Sequence, residues 1–182
     1  NGIGLIESLT GWLRKPDYLL PRTRFHGFER LEQARQQGRG VLLLGAHYSM
    51  LDLAGALFVT QRDAYVSYRP QNNAVMNWLM ERSRARLYLG CYTRKEIRSF
   101  IRCLNAGEIL WYAQDQDFGR KNSVFVDFFG VPAATITATS RIARAGNALV
   151  MPLTYFRRED NSGYDITVHE PLPIPGEDEV ED

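Results

Sequence analysis

His47 and Asp52 stand five residues apart in the stretch GVLLLGAHYSMLDLAGALFV, residues 40–59. An imidazole beside a carboxylate is fixed in one tautomer, and its cation is stabilised as it accepts a proton. The pair therefore suits a general base, His47, with Asp52 as the residue that orients it. On one continuous helix, residues five apart point about 140° away from each other, since each residue turns by roughly 100°. The two side chains meet only if His47 precedes a helix and Asp52 lies in its first turn. The same residues also have a purely architectural reading. Ser49-x-x-Asp52 has the form of a capping box with Asp in place of Glu, and an acid in the first turn suits the helix dipole. On that reading Asp52 is a cap partner and His47 a hydrogen-bonded turn residue.

The surrounding pattern supplies the turn. Val41-Leu42-Leu43-Leu44 is an unbroken apolar run, as in a strand buried on both faces of a parallel sheet. After Gly45-Ala46 the apolar residues Met50, Leu51, Leu53, Ala54, Leu57 and Phe58 return at helical spacing. His47 thus falls at the carboxyl end of a strand, where ligands usually bind in open α/β sheets.

Other segments extend this pattern. Residues 3–14 and 28–37 read as helices, and 64–68 as a strand ending at Arg69-Pro70. Residues 72–86 read as a long helix with Val75, Trp78, Leu79 and Met80 inward and Arg82, Arg84 and Arg86 outward. A further helix, 94–105, carries Ile97, Ile101 and Leu104 on one stripe. The strand 109–113 runs into Gln114-Asp115-Gln116-Asp117, a second polar set at the end of a buried strand. Val124, Val126 and Phe128 alternate with Phe125, Asp127 and Phe129, which suggests a short strand or an extended edge lining a pocket. Residues 135–145 read as a helix closed by Gly146, and 149–155 and 164–169 as strands. The fold class expected is α/β, a mostly parallel central sheet flanked by helices.

Composition narrows the function. With 45% apolar and 24% charged residues in 182, one domain with a substantial core is expected and general disorder is excluded. No run of eighteen apolar residues is free of charge; residues 40–59 are long enough to span a bilayer, but His47, Ser49 and Asp52 at their centre are costly in lipid. Cys91 and Cys103 lack metal-like spacing and read as free thiols in a reducing compartment. With three scattered histidines, His26, His47 and His169, neither a metal nor a cofactor is expected. There is no Gly-x-Ser-x-Gly elbow, no phosphate loop and no dinucleotide fingerprint.

Charge is distributed unevenly. Residues 1–110 hold 16 Lys or Arg against 9 Asp or Glu, whereas residues 159–182 hold 9 acids and no base. The basic part could face an anionic membrane or a phosphorylated ligand, and no nucleic-acid partner is expected. Of the 22 basic residues 19 are Arg, which suits bidentate phosphate contacts, although a general preference for Arg would give the same count. The Trp-bearing amphipathic residues 3–14 are compatible with membrane contact or with plain packing. Beyond Pro171, Pro173 and Pro175 the acidic residues 176–182 are expected to fray.

The blocks GVLLLGAHYSMLDLAG, SYRP, DQDFGRKNSVFVDFFGVPAATITATSRIARAG and VMPLTYFRR resemble, in that order, those of the lipid A biosynthesis late (secondary) acyltransferases, of lauroyl or myristoyl type. The resemblance spans roughly residues 20–170. It implies a glycerol-3-phosphate acyltransferase-like arrangement and transfer of a fatty acyl chain from acyl carrier protein to a hydroxyacyl chain of a Kdo-bearing lipid A precursor. It places that reaction at the cytoplasmic face of the Gram-negative inner membrane. The family's His-x-x-x-x-Asp/Glu motif falls on His47 and Asp52, as general base and orienter. Substrate binding is expected at Arg69, Asp115, Asp117, Arg120 and Lys121, and an acyl channel at Phe125, Phe128 and Phe129. Residues 1–175 would form the acyltransferase domain, without the family's amino-terminal membrane anchor and carboxyl-terminal helical part. Alternatives left open are another glycolipid acceptor on the same fold, and a non-catalytic lipid-binding domain.

Overall fold

The computed structural model describes residues 2–113, 115 and 123–173. Its centre is a sheet of seven strands: β1 (Thr23–His26), β2 (Gly40–Gly45), β3 (Tyr65–Tyr68), β4 (Gly90–Thr93), β5 (Ile109–Ala113), β8 (Ala148–Arg157) and β9 (Tyr164–Val168). Their order is β1-β9-β8-β2-β5-β3-β4. The five strands from β8 to β4 run parallel, while β9 pairs antiparallel with β8 and takes β1 alongside it. Two further strands, β6 (Ser123–Phe128) and β7 (Val131–Ile136), form a separate antiparallel hairpin.

Strand alternation divides the core into two layers. Val41 and Leu43 of β2 face one side, where α2 (Glu29–Gln36) and α3 (Leu51–Phe58) cover them through Leu31, Ala34, Leu53, Leu57 and Phe58. Leu42 faces the other side, under Phe100 and Leu104 of α5 (Ile97–Asn105) and Ile142 of α6 (Ala138–Ala145). The β2 run is apolar throughout because both faces are covered.

The remaining helices lie beside α3. In α1 (Gly2–Leu13) the inward side is small and polar: Glu7 and Gly11 are buried, whereas Ile3, Leu5, Ile6 and Leu13 are exposed. A β-carbon at Gly11 would sit 2.7 Å from the Asp52 carbonyl oxygen, so the glycine lets the two backbones touch at the start of α3. Buried Glu7 is matched by Arg157, whose Nη1 is 2.9 Å from its carboxylate.

In α4 (Ala74–Leu87) the buried side runs through Met80 and Ser83, and Arg84 is only 14% exposed. Val75 and Trp78, expected inward, point out. The inward stripe carries Arg84, the partner of the Asp52 carboxylate on α3. On α5 the buried stripe is Phe100, Cys103 and Leu104, with Ile97 turned out. Residues 131–136, assigned in part to a helix by sequence pattern, are the second strand of the hairpin, and α6 starts at Ala138.

Candidate active site

The register of β2 on β5 builds the centre of the site. Gly45 pairs with Ala113 as the last rung of the ladder. Neighbouring parallel strands lie about 4.8 Å apart, so the residues two positions beyond each strand, His47 and Asp115, meet over the sheet edge. The Asp115 carboxylate accepts the main-chain N–H of His47 at 2.7 Å, and its second oxygen lies 2.5 Å from His47 Nδ1. Burial alone would push the Asp115 carboxyl up, but these hydrogen bonds and the nearness of the imidazole hold it below its ordinary value. An ionised carboxylate only accepts hydrogen bonds, so the proton of this contact sits on Nδ1, and Nε2 is the ring nitrogen that can act as a base.

Asp52 is the second residue of α3, in its first turn, and its Oδ1 is 3.3 Å from Arg84 Nη2. The helix carries no side-chain cap: its N-cap is Met50, so the capping-box arrangement of Ser49 and Asp52 is not formed. Arg84 also lies 5.7 Å over the ring of Tyr68. Beneath this pair is Tyr88, whose phenol burial pushes well above its ordinary pKa. Its hydroxyl occupies the space that a side chain at Gly55 would need.

The turn that carries His47 is fastened from below. Tyr155 of β8 is buried and donates its hydroxyl to the carbonyl of Ala46. Its ring lies between Tyr48 and Trp111, with centroids 5.5 Å and 5.7 Å away. The Trp111 indole N–H fills the space beside Gly45, which is why a residue without a side chain ends β2.

His47 and Asp52 line one cleft of about 380 Å³ together with Arg69, Arg84, Arg94 and Trp111. Arg69 and Arg94 come directly after Tyr68 and Thr93, the last paired rung of β3 and β4. The cleft therefore runs along the carboxyl ends of β2, β5, β3 and β4, with one base and several cations on its wall. An imidazole in such a place can take a proton from a hydroxyl, and the cations can bind an anionic substrate.

Over residues 1–182 the chain matches the model of a protein family described as bacterial lipid A biosynthesis acyltransferase. The chain belongs to that family. It is similar to the lipid A biosynthesis lauroyltransferase of Escherichia coli (strain K12), at 36% identity over 182 residues, 99% of this chain and 59% of that protein. It is 34% identical to the lipid A biosynthesis palmitoleoyltransferase of the same organism, over 90% of this chain and 54% of that protein. To the myristoyltransferase of that organism it is 30% identical, over 78% of this chain and 44% of that protein. The chain thus spans little more than half the length of the first two relatives.

In this member of the lipid A acyltransferase family the structure brings His47, Asp52 and Arg69 to one cleft and adds Asp115 as the partner of the His47 ring. Asp115 was expected among substrate-binding residues; a partner 68 positions away cannot be read from local spacing. Arg84 was expected on the outer face, and the signal for its role was its place four residues after Met80 on the buried stripe. Phe125, Phe128 and Phe129 lie exposed on the β6–β7 hairpin. Asp117, Arg120 and Lys121 lie outside the described residues. Among the described residues no group of His, Cys, Asp and Glu could hold a metal ion. Cys91 and Cys103 are free, and burial pushes the Cys103 thiol up to about 12.

Proposed function

We propose that the cleft is an acyl-transfer centre, moving a fatty acyl chain from acyl carrier protein to a hydroxyl on a hydroxyacyl chain of a Kdo-bearing lipid A precursor. Family membership supports the reaction class, and the His47–Asp115 contact is the observation that carries the mechanism. His47 Nε2 takes the proton of the acceptor hydroxyl while its oxygen attacks the thioester carbonyl carbon. The C–S bond then breaks, and the imidazolium returns the proton to the leaving sulfur. Asp115 holds Nδ1–H throughout and stabilises the cation. Asp52, expected to orient His47, is proposed to act one step back, through its ion pair with Arg84 in the cleft wall. No covalent intermediate on the protein is required.

Arg69 is proposed to grip a phosphate of the acceptor with its planar fork. An anionic membrane surface, taken here as the cytoplasmic face of the inner membrane, is the proposed site of action. The exposed apolar side of α1, with Val75 and Trp78 of α4 and basic Arg14, Lys15, Arg82 and Arg86 in the same two segments, supports that placement. No helix among the described residues is long and apolar enough to cross a membrane.

The test is transfer by the purified protein from a radiolabelled acyl-carrier-protein thioester, with a Kdo-bearing lipid A precursor and a mannoside glycolipid offered side by side. An ester formed on the lipid A precursor is expected. Faster ester formation on the mannoside would reassign the acceptor, and thioester binding without transfer or hydrolysis would make this a lipid-binding domain.

A further inference from the structure

The peptide group that joins Ala46 to His47 is held from both sides. Its N–H is donated to the Asp115 carboxylate at 2.7 Å, and its carbonyl accepts the hydroxyl of Tyr155. A trans peptide points these two groups in opposite directions. The partners come from opposite sides as well, since Asp115 follows β5 and Tyr155 belongs to β8, the two neighbours of β2 in the sheet. One peptide beyond the end of β2, two side chains thus take the place of the backbone partners that the strand has left behind.

The β8 side is built for this. Pro152 lacks an N–H, and the ladder between β2 and β8 ends at its rung with Leu44. β8 itself runs on to Arg157, paired with β9 from Leu153 onward. Tyr155 is therefore fixed in the sheet three residues past that rung, beside the turn that carries His47. It is 1% exposed, and its ring packs against Tyr48 and Trp111. Burial first, and then the Asp115 charge, push the phenol well above its ordinary pKa, so it stays a neutral donor. Tyr155 is not among the residues that line the cleft of His47 and Asp52.

We propose that Tyr155 is a positioning residue for His47, acting through the Ala46–His47 peptide: its hydroxyl fixes the plane of that peptide so that the His47 N–H meets one Asp115 oxygen while Nδ1 meets the other. A hydrogen bond accepted by an amide oxygen also strengthens the one its own N–H donates. A peptide free to turn would swing the imidazole off the Asp115 carboxylate, and displacing a base by a fraction of an ångström is costly in rate. The role rests on the proposed acyl transfer, in which His47 is the base.

The experiment compares the parent with Tyr155→Phe, which keeps the packed ring and removes the hydroxyl. In transfer from an acyl-carrier-protein thioester, kcat should fall by about tenfold, the worth of one hydrogen bond. KM should be unchanged for donor and acceptor, because Tyr155 lies outside the cleft lining. A second readout follows the peptide itself. Labelling the three histidines with nitrogen-15 gives three amide signals, and that of His47 is the one lost in His47→Ala. In Tyr155→Phe this amide proton should move upfield as its bond to Asp115 weakens. Placing 3-fluorotyrosine at position 155 keeps the hydroxyl and should hold kcat and the amide signal near the parent's values.

A Tyr155→Phe protein with the parent's kcat, or with an unmoved His47 amide signal, would overturn the role. So would a lower Tm with kcat and the amide signal both unchanged, since Tyr155 would then be a core residue only. The amide signal is read without substrate. A parent that transfers no acyl chain would therefore refute the proposed reaction, while the signal still decides whether Tyr155 acts on the His47 peptide.

Discussion

Replacing Asp115 by Asn tests the step on which the mechanism turns. The carboxylate accepts twice from His47, from its N–H at 2.7 Å and at Nδ1 over 2.5 Å. An amide has one accepting oxygen and a donating NH2. If its oxygen keeps the main-chain N–H, its NH2 faces Nδ1 and drives the ring proton to Nε2, the atom that must act as base. Loss of a positioned general base costs about 10²–10⁴-fold in rate, or about 3–5 kcal/mol of barrier. The stability cost is smaller, because the Asp115 side chain is 39% exposed and water screens the pair; about 1 kcal/mol or less is expected.

The pH dependence has a definite sign. Asp115 is depressed below its ordinary value in the folded protein, so its contribution to stability is complete above the ordinary range near 4, roughly, and is lost as the pH falls through the folded value. The difference in Tm between parent and Asp115→Asn should therefore shrink in acid. Single-turnover transfer measured beside thermal melts decides the matter: a folded Asp115→Asn protein working at near the parent rate would refute the tautomer argument.

Asp52→Asn should lower both stability and activity, because it leaves the partly buried Arg84 without its carboxylate; the stability loss should be about 1–3 kcal/mol. A double-mutant cycle with Arg84→Gln should give a coupling energy above about 0.5 kcal/mol, and additive effects would dissolve the pair. Gly55→Ala improves helix propensity by about 1 kcal/mol, yet it should destabilise the protein because the new methyl meets the buried Tyr88 hydroxyl. Adding Tyr88→Phe should recover most of the lost Tm. Arg69→Ala should raise the acceptor KM and reduce its salt dependence, with Lys rescuing only part; an unchanged KM with a lower Tm would make Arg69 structural.

Much of this site was legible because its chemistry begins in one local pattern. The apolar run, the glycine and the return of helical spacing place His47 between β2 and α3, and the structure has that strand at Gly40–Gly45 and that helix at Leu51–Phe58. The strand 109–113 with polar residues after it was legible for the same reason. That β5 lies directly beside β2, in the register that joins His47 to Asp115, depends on a pairing 68 residues apart and leaves no local trace. β1 and β4 went unread, since Thr23–His26 and Gly90–Thr93 carry no apolar run or alternation. The inward face of α4 was misread because Trp78 and Val75 carry more hydrophobicity than Ser83 and Arg84, while the buried side brings Arg84 to the carboxylate of Asp52 on α3. Likewise Phe125, Phe128 and Phe129 suggest a buried lining by residue type, whereas they are exposed on a hairpin that pairs only within itself.

The most direct test of the central claim is single-turnover acyl transfer by His47→Ala, from a thioester donor to a hydroxyl acceptor, with Tm and far-ultraviolet circular dichroism recorded on the same sample. A rate lower by about 10²–10⁴-fold is expected in a protein whose fold is unchanged, since His47 is exposed and its loss leaves the core intact. A folded His47→Ala protein that transfers acyl chains at near the parent rate would contradict it.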